Sequence, residues 1–327
     1  MSGLFDCYKR QIDYIRVSVT DRCNLRCFYC TVKNIPRMTH DDILRYEEIE
    51  KIVKASAEMG VKSVRITGGE PLVRPEVPKL VDLLSEVKGI DEITLTTNGI
   101  LLANYARELK QAGLKRVNIS LDTLQEKRFE KITGTGKLKD VLNGIEAARK
   151  AGLNPVKINM VVLGGVNDDE VLDFCLKTKE EGWHIRFIEY MPLMGKQSEK
   201  VGMVTIKDIK ETIEDGLGEL KPCGKVSGSG PARYYSLQGA VGTIGFISPV
   251  SECFCQDCNR FRLTADGKLR PCLLSDEEVD IKTILRNGAG EEDVRKVVKE
   301  AINKKPKNHE LKNGENGKKR QMWQIGG

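Results

Sequence analysis

The chain has 327 residues, 40% of them hydrophobic, a length that one α/β barrel with an extension reaches and enough apolar content for a sizeable core. With 53 Lys and Arg against 47 Asp and Glu, the net charge of +6 suits a phosphate-bearing ligand but is no nucleic-acid signature. The opening MSGLFDCYKRQIDYIR is mixed rather than basic-then-apolar, and no apolar run is long enough to cross a bilayer, so the expectation is a soluble, cytoplasmic protein with neither membrane nor nucleic-acid partner.

From Tyr14 a rhythm sets in: a β-branched run, a stretch of helical period, a glycine, then the next run. It predicts strands at Tyr14 to Thr20, Val61 to Thr67, Ile90 to Thr97, Leu114 to Leu121, Pro155 to Val162 and His184 to Tyr190. Helical spacing falls between them, at Ile49, Ile52 and Val53, at Val77, Leu80, Val81 and Leu84, at Leu102, Tyr105, Ala106 and Leu109, and at Leu138, Val141, Leu142 and Ile145. Gly60, Gly89, Gly113, Gly152 and Gly182 stand where a helix ends in a left-handed residue. Strands alternating with crossover helices imply a parallel sheet, and both a doubly wound sheet and a barrel satisfy the pattern. Polar and glycine residues cluster just after the strands, in DRCNLRC, GGEP and NG, where either architecture puts its functional groups.

After Met191 the rhythm breaks. A helix is expected at Val204 to Ile213, short strands at Tyr234 to Leu237, Gly242 to Ile247 and Arg260 to Thr264, and another helix at Glu291 to Ile302. Asn303 to Arg320 is rich in lysine, asparagine and glycine without apolar period and reads as a surface segment, followed by a terminal Gly326 and Gly327. The break divides the chain into residues 1–191 and an extension of residues 192–327.

Ten cysteines in a chain with no secretion signal point to metal or redox use rather than disulfides. Cys23, Cys27 and Cys30 lie in one loop, CNLRCFYC, and Cys255, Cys258 and Cys272 surround a hairpin turning at Asp266 and Gly267. Three thiolates leave one position of a cubane cluster open for chemistry; a structural zinc closed by a fourth ligand, Cys253 at the second triad, is the alternative. Alternation puts Arg260 and Arg262 on one face beside the second triad, a pairing that suits phosphate. In GGEP, Gly68 and Gly69 permit close backbone approach, and Glu70 can accept from an ammonium.

CxxxCxxC after the first strand with GGEP after the second resembles the radical S-adenosylmethionine superfamily, whose fold is a partial (β/α)6 barrel. IRVSVTDRCNLRCFYC, RITGGEPL, TTNG, NISLDT, IRFIEYMP, GPARYY, GFISPVS and CxxCNRFRLTADGxLRPCL, with the double-glycine end, resemble the GTP 3′,8-cyclase family of molybdenum cofactor biosynthesis. The resemblance runs from about Ile15 to the C-terminus. It implies an extension that covers the open side of the barrel and carries a second iron-sulfur cluster.

The resemblance assigns Cys23, Cys27 and Cys30 to a [4Fe-4S] cluster whose open iron binds S-adenosylmethionine, with Tyr29, Gly69, Glu70, Ser120 and Met191 around that cosubstrate. It assigns Cys255, Cys258 and Cys272 to a second [4Fe-4S] cluster facing the guanine of GTP. Arg16, Arg65, Thr96, Lys157, Arg260 and Arg262 become GTP contacts, Arg186 a further basic residue of that pocket, and Gly326 and Gly327 a tail reaching into the mouth. Arg16, Arg186 and the two tail glycines are the catalytic set. The implied reaction is a radical cyclisation of GTP at its ribose 3′ and guanine C8 positions. Its implied partners are an electron donor such as flavodoxin or ferredoxin and the next enzyme, a cyclic pyranopterin monophosphate synthase; a homodimer is left open. The chain departs from the family pattern in the extra Cys253, the long lysine-rich segment and Trp323 near the tail.

Overall fold

A computed structural model describes residues 3–30, 38–191, 201–224, 226–228, 230–309 and 320–326. The six expected strands are β1 (Tyr14–Ser18), β2 (Ser63–Thr67), β3 (Glu92–Thr97), β4 (Arg116–Ser120), β5 (Lys157–Val162) and β6 (His184–Glu189). They are joined through α1 (Tyr46–Glu58), α2 (Val77–Ser85), α3 (Leu102–Gln111), α4 (Glu126–Thr133), α5 (Leu138–Lys150) and α6 (Val171–Glu180). Helix α4 had no counterpart in the sequence reading, because EKRFEKIT offers only Phe129 and Ile132 to the core, too few to show a period. The five helix-ending glycines all have left-handed φ, from +68° at Gly182 to +110° at Gly60.

Strands β1 to β6 pair in parallel in sequence order. Their two faces differ sharply. Ile15, Val17, Val64, Ile66, Ile93, Leu95, Val117, Ile119, Ile158, Met160, Ile185 and Phe187 are buried beneath the helices. Each contributes on the order of 1.5–3 kcal/mol by leaving water. Alternate residues turn to the other face and are polar or charged: Arg16, Arg65, Thr94, Thr96, Asn118, Lys157, Asn159 and Arg186. A sheet with an apolar outer face and a buried, charged inner one encloses a lumen built for a polar occupant.

The extension joins the same sheet. It comprises α7 (Ile206–Leu217), β7 (Lys221–Cys223), β8 (Arg233–Ser236), β9 (Ile244–Ile247), β10 (Arg260–Leu263), β11 (Lys268–Arg270), β12 (Val279–Asp280), α8 (Lys282–Arg286) and α9 (Glu291–Asn303). The strand order is β12-β11-β10-β1-β2-β3-β4-β5-β6-β9-β8-β7, with β10 parallel to β1 and β9 parallel to β6. Both edges of the half-barrel are thus occupied by the C-terminal part of the chain. Strands β7, β11 and β12 have two or three residues each, too short for alternation to reveal. Buried Glu189, at the end of β6, ties the extension down by accepting from the backbone N–H groups of Ile206 (3.1 Å), Val250 (3.2 Å) and Ser251 (3.0 Å). No helix among the described residues is long and apolar enough to cross a membrane.

Candidate active site

The first triad lies on the loop that leaves the C-terminal end of β1. Gly69 N–H donates to the Thr20 carbonyl at 2.8 Å, and Glu70 N–H to the Arg22 carbonyl at 2.8 Å, so the GGEP turn is laced to the cysteine loop by its backbone. A Cβ on Gly69 would meet the Arg22 carbonyl oxygen at 2.4 Å, and one on Gly68 the Thr20 carbonyl oxygen at 2.7 Å. The paired glycines therefore serve the close passage of the cysteine loop. Glu70 is 1% exposed and accepts from Leu72 N (3.0 Å), Thr97 Oγ1 (2.7 Å) and Asn98 N (2.6 Å), which bolts the turn to the end of β3. Burial, opposed by these bonds, pushes its carboxyl up to about 7.

Leu25 N–H (3.4 Å) and Asn98 Nδ2 (3.8 Å) donate to Cys23 Sγ. Burial pushes the Cys23 and Cys27 thiols up, Cys27 far up, so a bare thiolate is costly here and a bound cation is the compensation available. Tyr29 donates its hydroxyl to Asp122 Oδ2 at 2.5 Å and packs edge-on against Tyr190, while burial pushes Asp122 up to about 6. Ser120 ends β4 beside Asn159 of β5, and Met191 follows β6, so both lie at the same C-terminal end of the sheet.

The second triad sits at the opposite end of the lumen. Cys255 and Cys258 precede β10, and Cys272 follows the antiparallel β11, so all three gather where β1 and β10 begin. They line a small pocket together with Arg260, Lys305 and His309. Lys305, 3% exposed, donates to the carbonyls of Arg260 (2.6 Å) and Pro271 (2.7 Å) and so holds the two halves of the triad together. Burial alone would push the Cys258 thiol up, but the Arg260 and Lys305 charges outweigh it and hold the thiol at about 7, primed as a ligand.

Triad width separates the cluster from the zinc reading. Thiolates around one tetrahedral zinc, at Zn–S ≈ 2.3 Å, lie roughly 3.8 Å apart, whereas those of a cubane bind different irons and stand further apart. Among the described residues neither triad brings its three sulfurs within 4.8 Å of one another; the one set that does so is Cys253, Cys255 and His309. Neither triad is thus gathered as one zinc ion would gather it, which is compatible with thiolates on different irons of a cluster.

Between the triads runs the cationic face. The register places Arg16 between Arg65 of β2 and Arg262 of β10, and Arg260 opposite Tyr14. Arg116 is neutralised by Glu92 through two bonds, of 2.8 and 2.7 Å, but none of Arg65, Lys157, Arg186, Arg260 and Arg262 pairs with a carboxylate among the described residues. Arg65 donates to Thr94 Oγ1 (3.2 Å) and Lys157 to the Ser227 carbonyl (2.8 Å), with the Tyr234 ring 5.4 Å away. Arg186 Nε and Nη2, Thr96 Oγ1, Asn159 Oδ1 and both amide atoms of Asn118 are buried without a hydrogen-bond partner among the described residues. Burial and neighbouring cations lower Arg16 and Arg186 to about 10 and Lys157 to about 6. Gly245 makes room for this: a Cβ there would stand 3.0 Å from both Arg186 Cγ and the Tyr234 ring. Buried cations without carboxylate partners among the described residues make a polyanion a favourable occupant of this face.

The tail enters from the first-triad end. Arg320 is gripped by Asp266 (2.7 Å) and Glu278 (2.6 Å), Trp323 is buried, and Gly326 lies against Ser18 and Thr67 at the ends of β1 and β2. Gly327 and residues 310–319 of the lysine-rich segment lie outside the described residues.

A parallel half-barrel with a three-cysteine loop after its first strand is the architecture of the radical S-adenosylmethionine class. The Radical SAM superfamily model matches residues 17–177, and the Molybdenum Cofactor Synthesis C model matches residues 183–311. Solved structures agree on the fold: Streptococcus suis SuiB bound to S-adenosylmethionine superposes with a TM-score of 0.64 at 15% identity, covering 88% of this chain and 69% of that one. Two relatives named GTP 3′,8-cyclase, from Heliobacterium modesticaldum and Pelotomaculum thermopropionicum, are 50% and 49% identical, covering 99% and 98% of this chain and 100% and 99% of theirs. The chain belongs to the GTP 3′,8-cyclase family.

Sequence reasoning missed Lys305, Asp122, Asn98 and Glu189. Lys305 sits in a lysine-rich run and carries no local mark of its burial. Asp122 and Asn98 each stand just past a strand end, in LDT and TTNG, and that position was the signal available.

Proposed function

We propose that this chain converts GTP into a 3′,8-cyclo-dihydro-GTP by radical chemistry with S-adenosylmethionine, the first step of molybdenum cofactor biosynthesis. One observation carries the reading: a buried, largely uncompensated cationic face runs along the sheet from one cysteine triad to the other. The strand β1 that spans the interval has five residues, about 16 Å at 3.3 Å per residue, enough for a nucleoside triphosphate.

Cys23, Cys27 and Cys30 would hold one [4Fe-4S] cluster with an iron open to S-adenosylmethionine, bordered by Tyr29, Gly69, Glu70, Ser120 and Met191. Cys255, Cys258 and Cys272 would hold the second, open toward guanine. When bound, the first cluster and S-adenosylmethionine supply the one-electron chemistry that removes a ribose hydrogen. The residues do the rest. Arg16, Arg65, Thr96, Lys157, Arg260 and Arg262 take the polar and anionic groups of GTP and so fix which hydrogen faces the first triad. Arg186 adds charge to that pocket, and the tail through Gly326 narrows the mouth, keeping water from a reactive centre. In this reading residues 1–191 hold S-adenosylmethionine and one wall of the GTP pocket, and residues 192–327 supply the second triad, Arg260 and Arg262 that complete it. A cytoplasmic site of action, a flavodoxin- or ferredoxin-type donor, homodimerisation and hand-over to a cyclic pyranopterin monophosphate synthase belong to the same proposal.

The test is an anaerobic incubation of the iron-reconstituted chain with GTP, S-adenosylmethionine and a reductant. The cyclised nucleotide and 5′-deoxyadenosine should form in equal amounts. A protein with both clusters that cleaves S-adenosylmethionine but leaves GTP unchanged would overturn the substrate assignment.

A further inference from the structure

The second triad has a neighbour that the cyclisation does not use. The ligand atoms of Cys253, Cys255 and His309 lie within 4.8 Å of one another. Four-coordinate zinc with Zn–S ≈ 2.3 Å and Zn–N ≈ 2.0–2.1 Å puts its ligand atoms roughly 3.4–3.8 Å apart, so small side-chain rotations close the set around one ion.

One backbone contact sets the tautomer of the histidine. Its Nε2 lies 2.8 Å from the Pro249 carbonyl oxygen, and since a carbonyl only accepts, Nε2 carries the proton, which makes Nδ1 the nitrogen able to coordinate in this tautomer. A backbone carbonyl on the far ring nitrogen is the usual support of a metal-bound histidine. The sulfurs are held as well: the backbone N–H of Cys255 donates to Cys253 Sγ at 3.4 Å, and the backbone of His309 hydrogen-bonds the Cys255 thiol. Cys253 is exposed, which gives an ion an entry path and leaves room for a water as fourth ligand. Two thiolates neutralise a divalent charge, so binding releases two thiol protons.

We propose that in a chain whose second triad carries no cluster, Cys253, Cys255 and His309 bind one thiophilic divalent cation of the Zn²⁺ class. Because Cys255 belongs to both sets, ion and second cluster exclude one another. That exclusion rests on the reading of Cys255 as a cluster ligand; the ion site itself does not.

The probe is Co²⁺, whose visible ligand-field and thiolate charge-transfer bands report tetrahedral sulfur coordination, added anaerobically to the full chain stripped of iron. One cobalt per chain should show these bands and be displaced by Zn²⁺. Cys253→Ser, at an exposed position where folding is not at stake, should weaken cobalt binding at least tenfold, as should His309→Ala. Cys272→Ser and Cys23→Ser should leave the bands in place. Parental affinity in Cys253→Ser, or bands lost in Cys272→Ser instead, would place the ion in a triad and overturn the site. Subsequent assembly of both clusters with iron and sulfide should expel the cobalt; cobalt retained beside a complete second cluster would overturn the sharing of Cys255 alone.

Discussion

The guanidinium of Arg262, buried on β10, donates through Nη1 to the backbone carbonyl of Gly326, and also to that of Ile325 at 3.1 Å. A side chain on the strand beside the second triad thus holds the penultimate residue of the chain at the end of β1 from which the first triad departs. The phosphate-binding candidates and the tail are one connected unit.

Gly326 has φ +73°, and a Cβ there would meet Thr67 Cγ2 at 2.6 Å. Gly326→Ala should therefore displace the tail and reproduce the effect of deleting residues 326–327: iron content and binding of S-adenosylmethionine and GTP largely kept, cyclised product lost. Normal turnover in the truncated chain would make the tail only a terminus.

The triads should fail differently. Cys27→Ser leaves the first cluster with two protein ligands and should abolish S-adenosylmethionine cleavage, with iron per chain falling by about half. Cys258→Ser should lose a similar share of iron while retaining slow, uncoupled cleavage, because that triad is assigned to GTP. Iron analysis beside 5′-deoxyadenosine assay decides; parental cleavage in Cys27→Ser contradicts the assignment.

Removing a buried charge that has no carboxylate partner among the described residues should stabilise the free protein and weaken ligand binding. Arg186→Leu should raise the unfolding midpoint by an amount equivalent to about 1 kcal/mol or more. It should weaken GTP binding by about 2 kcal/mol, roughly thirtyfold. Paired melting and GTP titrations read both signs; a lower midpoint with unchanged GTP affinity would show that the Arg186 charge is compensated.

Lys157 is held at about 6 by burial and by the charges of Arg116, Arg186 and Arg65. The free fold therefore binds fewer protons than the unfolded chain between about pH 6 and the usual lysine range, and this residue's contribution to stability is present above that window and lost as pH falls toward 6. A triphosphate favours the charged amine, so GTP binding at pH 8 should take up close to one proton. Calorimetry in buffers of different ionisation enthalpy measures this, and Lys157→Met should abolish the uptake. Equal enthalpies in all buffers for the parent would place the phosphates away from Lys157.

Periodicity, turn chemistry and cysteine spacing are local properties, so the sequence alone determined the six parallel strands, the glycine helix ends and the two triads, and its motifs pointed to the family. Arg260 and Arg262 were legible as a pair because alternation is a property of one strand. What β10 pairs with was not, because pairing across more than 240 residues leaves no local trace; only the tertiary structure sets β10 against β1, which puts the triads at opposite ends of one lumen. Burial decided the rest. Lys305 and Lys157 carry no local mark of burial in sequence, where only the family resemblance singled out Lys157, and GGEP looks like a ligand loop. The fold encloses both amines and presses the cysteine loop against Gly68 and Gly69, since a side chain's partners depend on what packs over it and not on its neighbours in the chain.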